Sequence, residues 1–87
     1  MNSDEMYEKA KTIQEIITPK LYAFQNNGNG DTIHTTNTFI GYMKGAVSLL
    51  DWYKKQGDIE KYDYWCKEFY DRVTKAETWM IEYAKRL

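Results

Sequence analysis

From Asp58 to Leu87 the chain places Tyr62, Cys66, Phe69, Val73, Ala76, Met80, Tyr83 and Leu87 at alternating steps of four and three. That spacing is a heptad seam along one face of a continuous α-helix of about seven turns. No Gly or Pro interrupts it. A single helix cannot bury such a seam, so the remaining residues are expected mainly to cover it. The seam constrains the architecture and leaves the function open, since no motif names a reaction or a ligand.

Upstream, Met6, Ala10, Ile13, Ile17, Leu21 and Phe24 recur at helical spacing. They predict a helix over about residues 4–25, with Asn2 or Ser3 as its cap and Asp4 and Glu5 in its first turn. Pro19 falls inside this pattern without shifting its phase. That favours one helix kinked at Pro19 over a restart capped by Thr18. The next stretch, QNNGNGDTIHTTNT, holds two Asn-Gly steps and a Thr/Asn cluster, so 26–36 reads as a polar Asn/Gly-rich loop. Asn27, Asn29 and Asp31 alternate like the first ligands of a calcium loop. The pattern then fails, with Thr32 where a Gly is needed and Thr38 where a bidentate Glu belongs. No P-loop spacing or Lys accompanies the glycines. His34, the single histidine, reads as a solvated loop residue.

Phe39, Ile40, Met43, Ala46, Val47, Leu50 and Tyr53 mark a second helix over 37–56, with Tyr42, Leu49 and Trp52 widening its apolar face. So broad a face is expected to sit centrally, against both other helices. Gly41 and Gly45 weaken this helix and suggest either a close helix contact or space for a bulky neighbour of the same chain. Gly57 and Asp58 form a tight turn into a third helix over 58–86. The stretch LLDWYKKQGDIEKYDYWCKEFY resembles one tetratricopeptide hairpin, with its Gly-Asp turn between helices. Tyr62 stands where that family packs a small residue, and the chain holds no second copy, so the likeness covers helix–turn–helix physics alone. With these bounds the third helix exceeds the second by about nine residues, or roughly 13 Å. Its far end would overhang, and Met80, Ile81, Tyr83 and Leu87 are expected to mediate self-association there.

The 87 residues suit a single helical domain, 1–87. A content of 43% hydrophobic and 29% charged residues is that of a globular chain. Eight Tyr and three Trp supply core area and also favour interfaces. The net charge of −1 disfavours nucleic acid as a partner. The single Cys66 excludes an intrachain disulfide and, on the seam, reads as a buried small hydrophobe. The charged MNSDEMYEKAK start and the lack of a long apolar run point to a cytoplasmic, non-membrane chain. The Lys, Asn, Ile and Tyr bias hints at a small bacterial or phage protein. No paired acids, Cys–His pair or metal spacing is present, so no catalytic, cofactor-binding or metal residue is expected, and no cofactor.

The reading is an all-α, antiparallel three-helix bundle that self-associates into a homodimer or larger bundle and is not an enzyme. Its expected role is a protein-interaction module of adaptor or inhibitor type. Trp52, Tyr64 and Trp79, which lie off the seam, are its expected contact residues with another protein. The alternatives are a purely structural oligomerisation domain or, less favoured, a nucleic-acid-binding helical protein.

Overall fold

A computed structural model describes residues 1–86. Three helices pack against one another: α1 (Ser3–Asn27), α2 (Gly30–Gln56) and α3 (Ile59–Arg86). The three-helix, all-α expectation holds. Leu87 lies outside the described residues.

The seam on α3 is the centre of the fold. Cys66, Phe69, Val73 and Ala76 are completely buried, and Met80 nearly so. From α1 they meet Ala10, Ile17 and Leu21, and from α2 Ile40, Met43, Ala46 and Leu50. α3 packs extensively on both neighbours, while the α1–α2 contact is the thinnest. The central element is therefore α3 and not α2. The residues expected to widen the α2 face explain this, because Tyr42 and Trp52 remain exposed and add nothing to an inner contact.

α1 runs unbroken through Pro19. Asn2 caps it, its Oδ1 accepting from the Glu5 amide at 2.8 Å. The largest correction concerns the polar stretch. The expected 26–36 loop reduces to Gly28 and Asn29, and α2 begins at Gly30 instead of 37. The cause is a set of local partners for residues that usually break helices. Asn29 Oδ1 accepts from the Thr32 amide at 3.0 Å, capping α2. Thr36 Oγ1 donates to the Thr32 carbonyl at 2.8 Å, and Thr38 Oγ1 to the His34 carbonyl at 2.9 Å. Gln25 Nε2 donates to Asn37 Oδ1 across the α1–α2 contact. Thr32 and Thr36 are buried, whereas Ile33 between them is exposed.

The second corner follows its sequence reading. Gly57 adopts the left-handed conformation at φ 71°, its amide donating to the Lys54 carbonyl at 3.2 Å. Asp58 Oδ1 accepts from the Lys61 amide at 3.2 Å and caps α3.

The longer α2 removes the expected overhang. The helices have 25, 27 and 28 residues. At the far end of α3, Tyr83 stands edge-on to Phe24 with ring centres 5.0 Å apart, and its hydroxyl accepts from Thr32 Oγ1 at 3.1 Å. The end of α1 and the start of α2 thus engage Tyr83 within the chain. Gly28 is what lets the corner close. A side-chain carbon there would lie 2.5 Å from Thr32 Cβ and 2.8 Å from the Phe24 carbonyl oxygen. Gly28→Ala is expected to cost about 1–3 kcal/mol through overpacking, and Asn29→Ala about 1 kcal/mol through loss of the cap. Urea unfolding midpoints check both, and values equal to wild type would remove this corner as the determinant of where α2 begins.

Candidate interaction surface

Among the described residues no group of three or more His, Cys, Asp or Glu converges on a point that could hold a metal ion. His34 is exposed in the first turns of α2. No helix is long and apolar enough to cross a membrane among the described residues. What the surface does offer is aromatic.

On the outer side of α2 and α3 a stacked row crosses from one helix to the other. The Arg72 guanidinium lies 5.2 Å from the centre of the Tyr42 ring and 5.2 Å from that of Trp65. Arg72 Nη1 also donates to the Tyr42 carbonyl at 2.9 Å, and its Nε lies 3.6 Å from a Glu68 carboxylate oxygen. Trp65 in turn meets Tyr64 edge to face at 5.5 Å. A guanidinium close to two rings gains cation–π attraction from each. The same group fastens α2 to α3, because its fork reaches the Tyr42 backbone carbonyl while its charge lies over both rings. The ends of the row are open: Tyr42 is 56% and Tyr64 57% exposed. Trp52, 58% exposed, stands farther along α2 on its outer side.

The residues expected to form an interaction site divide into two groups. Trp52 and Tyr64 are exposed as anticipated. Trp79 is not: it is half-buried, stacked on Tyr83 at 5.1 Å and tilted against Phe39 at 5.7 Å. Its position one step off the seam places it over the α2–α3 contact, and the expectation of an exposed Trp79 is corrected. Of the residues assigned to self-association, Met80 belongs to the core and Tyr83 is half-buried, while Ile81 is exposed. Ile81 lines a shallow apolar groove with Ala23, Phe24 and Ala84, edged by Lys20 and Lys85. Leu87 lies outside the described residues.

Tyr42 and Arg72 belong to this surface but were not among its expected contact residues. The signal was present: Tyr42, Gly45, Leu49 and Trp52 follow one another at heptad spacing on α2. Three of them, Tyr42, Leu49 and Trp52, read as the widened edge of the inner face.

At the other end of the bundle, Tyr62 Oη donates to Asp4 Oδ1 at 2.8 Å, tying α3 to α1. An open groove of about 860 Å³ flanks this bond, lined by Met1, Met6, Ile59 and Tyr64 among others. Burial, then the hydrogen bond to Asp4, pushes the Tyr62 phenol above its ordinary 10.0. Burial raises Tyr7 as well and lifts the Cys66 thiol above 9.0. A buried thiol held protonated is a poor nucleophile.

Comparison of the chain with family models, curated proteins and solved structures finds no match.

The three raised groups link stability to alkaline pH. Each keeps its proton in the folded chain at a pH where the unfolded chain has released it, so their contribution is complete below the unfolded values and falls as pH rises beyond them. Folding stability is expected to hold level up to about pH 9 and to decline above it. In Tyr62→Phe, which has no phenol to titrate, the decline should be shallower. Urea midpoints measured across alkaline pH decide this, and identical slopes in both proteins would contradict it.

Proposed function

We propose that this chain is a non-enzymatic protein-interaction module of adaptor or inhibitor type, acting in the cytoplasm, with the outer side of α2 and α3 as its working surface. The observation that carries this reading is the set of large aromatic side chains left open on a chain with ample apolar core. Tyr42, Trp52 and Tyr64 are each more than half exposed. Exposed Tyr and Trp near a fixed Arg are the side chains that most often dominate binding at protein interfaces. The stacking of Arg72 between Tyr42 and Trp65 holds part of this surface in place before any partner arrives, which lowers the ordering cost of binding.

The order of contacts supports an antiparallel three-helix arrangement as the scaffold. Asp4 meets Tyr62 and Phe24 meets Tyr83, so α1 and α3 advance together. Tyr53 meets Lys61 while Phe39 meets Trp79, so α2 runs against them. A bend of α1 at Pro19 fits the missing amide donor there. Self-association, expected at the tip of α3, is better served by the outer face of α2, because the tip residues Met80 and Tyr83 are engaged within the chain. A purely structural oligomerisation domain is the second reading. It is favoured by Gly41 and Gly45, whose α-carbons face open space.

Capture from cells of the source organism tests the interaction reading. The wild-type chain as bait is expected to retain a small set of proteins, and Trp52→Ala or Tyr64→Ala to reduce that retention at least about tenfold, as for an interface hot spot. Both substitutions fall on exposed side chains and should leave the thermal midpoint within a few degrees of wild type. Equal retention by all three baits would overturn this surface as the binding site.

A further inference from the structure

Tyr42, Gly45, Leu49 and Trp52 recur along α2 at steps of three, four and three, the spacing of a helix-packing seam. This seam points away from the core. Tyr42 and Trp52 are more than half exposed, Gly45 is exposed and Leu49 half-buried. A side-chain carbon added at Gly41 or Gly45 would meet nothing within 4 Å. Glycine weakens a helix relative to alanine, and no group among the described residues makes use of the space. Resting on the interaction reading of the same face, we infer that this strip receives α2 of a second copy of the chain, the two helices packing antiparallel about position 47.

The pattern itself supplies the complementarity. Its steps read the same from either end, with Val47 at the midpoint. In an antiparallel pair centred there, Tyr42 of each copy lies beside Trp52 of the other, and Leu49 of each enters the gap over Gly45 of the other. Every contact occurs twice, as two-fold symmetry requires. Large meets small at the centre and ring meets ring at the flanks. A parallel in-register pair would instead set Leu49 against Leu49 and Trp52 against Trp52, so that large meets large. Gly41 and Ser48 border the seam and keep bulk out of the way of a close backbone approach.

Charge and size agree. With a net charge of −1 two copies repel one another little. Beside the seam Arg72 is paired with Glu68, so the face presents both signs to its own image. The molecule measures 44 × 22 × 15 Å, and its broad side has room for the roughly 800 Å² that each partner of a standard interface contributes.

Light scattering of the full chain across a micromolar concentration range tests the pairing. The expected mass is twice the chain's 10.4 kDa. Gly45→Gln places a long side chain where Leu49 of the other copy would enter, and should weaken dimerisation at least about tenfold. It should keep the helical circular dichroism, since a Cβ added at Gly45 meets no neighbouring group within 4 Å. Ser48→Cys lies next to the two-fold axis and should form an interchain disulfide on mild oxidation. Gln56→Cys, carried to opposite ends of an antiparallel pair, should not. A monomer at every concentration, or a dimer indifferent to Gly45→Gln, overturns the proposal. Cross-linking of Gln56→Cys at least as fast as that of Ser48→Cys overturns the antiparallel register. A monomer whose capture of a different protein still depends on Trp52 overturns self-pairing alone and leaves the interaction reading standing. A monomer with no such dependence overturns both.

Discussion

Burial of the α3 seam is the interaction on which the rest of the molecule depends. Phe69 and Val73 are fully enclosed, and each such side chain contributes about 1.5–3 kcal/mol on leaving water. Neither α1 nor α2 could hold the other in place alone, since their mutual contact is thin. Both are held because each has a face matched to the same apolar line. Around that line the polar groups are placed so that none is stranded: among the described residues no buried side-chain nitrogen or oxygen lacks a hydrogen-bond partner. Thr32 and Thr36 are the instructive cases. They sit in the interior at the end of the bundle, and their hydroxyls are absorbed by backbone carbonyls and by neighbouring side chains.

The core was the most legible part of the chain. Heptad steps in α3 and helical steps in α1 are periodic signals, and periodicity survives without knowledge of the neighbours. Tyr62 through Tyr83 fall on the inner side of α3 as their spacing implies. The Asn/Gly/Thr stretch was illegible for a physical reason. Residues such as Asn29, Thr36 and Thr38 are poor helix formers because their side chains compete for backbone groups. In this chain the competition is resolved in favour of the helix, by a cap and by back-bonding to carbonyls four residues earlier. Whether that happens depends on tertiary burial, which a local reading does not contain.

The surface was half legible. Trp52 and Tyr64 lie off the inner seams and are exposed, but Trp79 shares that description and is half-buried. Its ring stacks on Tyr83, and Tyr83 is placed by Phe24 and Thr32 from two other helices. Exposure near a helix end thus follows the lengths of the neighbours, and the length of α2 was the quantity misjudged. Arg72 shows the converse. An Arg four residues after Glu68 reads as an ordinary solvated pair, yet its guanidinium bridges two helices between aromatic rings.

The two corners differ in how crowded they are, and this decides where the chain can change length. One residue inserted within a helix turns everything beyond it by about 100° and moves the apolar line off its target. Such changes are confined to the connections. At Gly28 the Thr32 side chain and the Phe24 carbonyl already press on the α-carbon. At Gly57 there is open space, and longer loops add little entropic cost. The joint between α2 and α3 is therefore the place where insertions, grafted sequences or a new chain break can be accommodated while the helices keep their alignment.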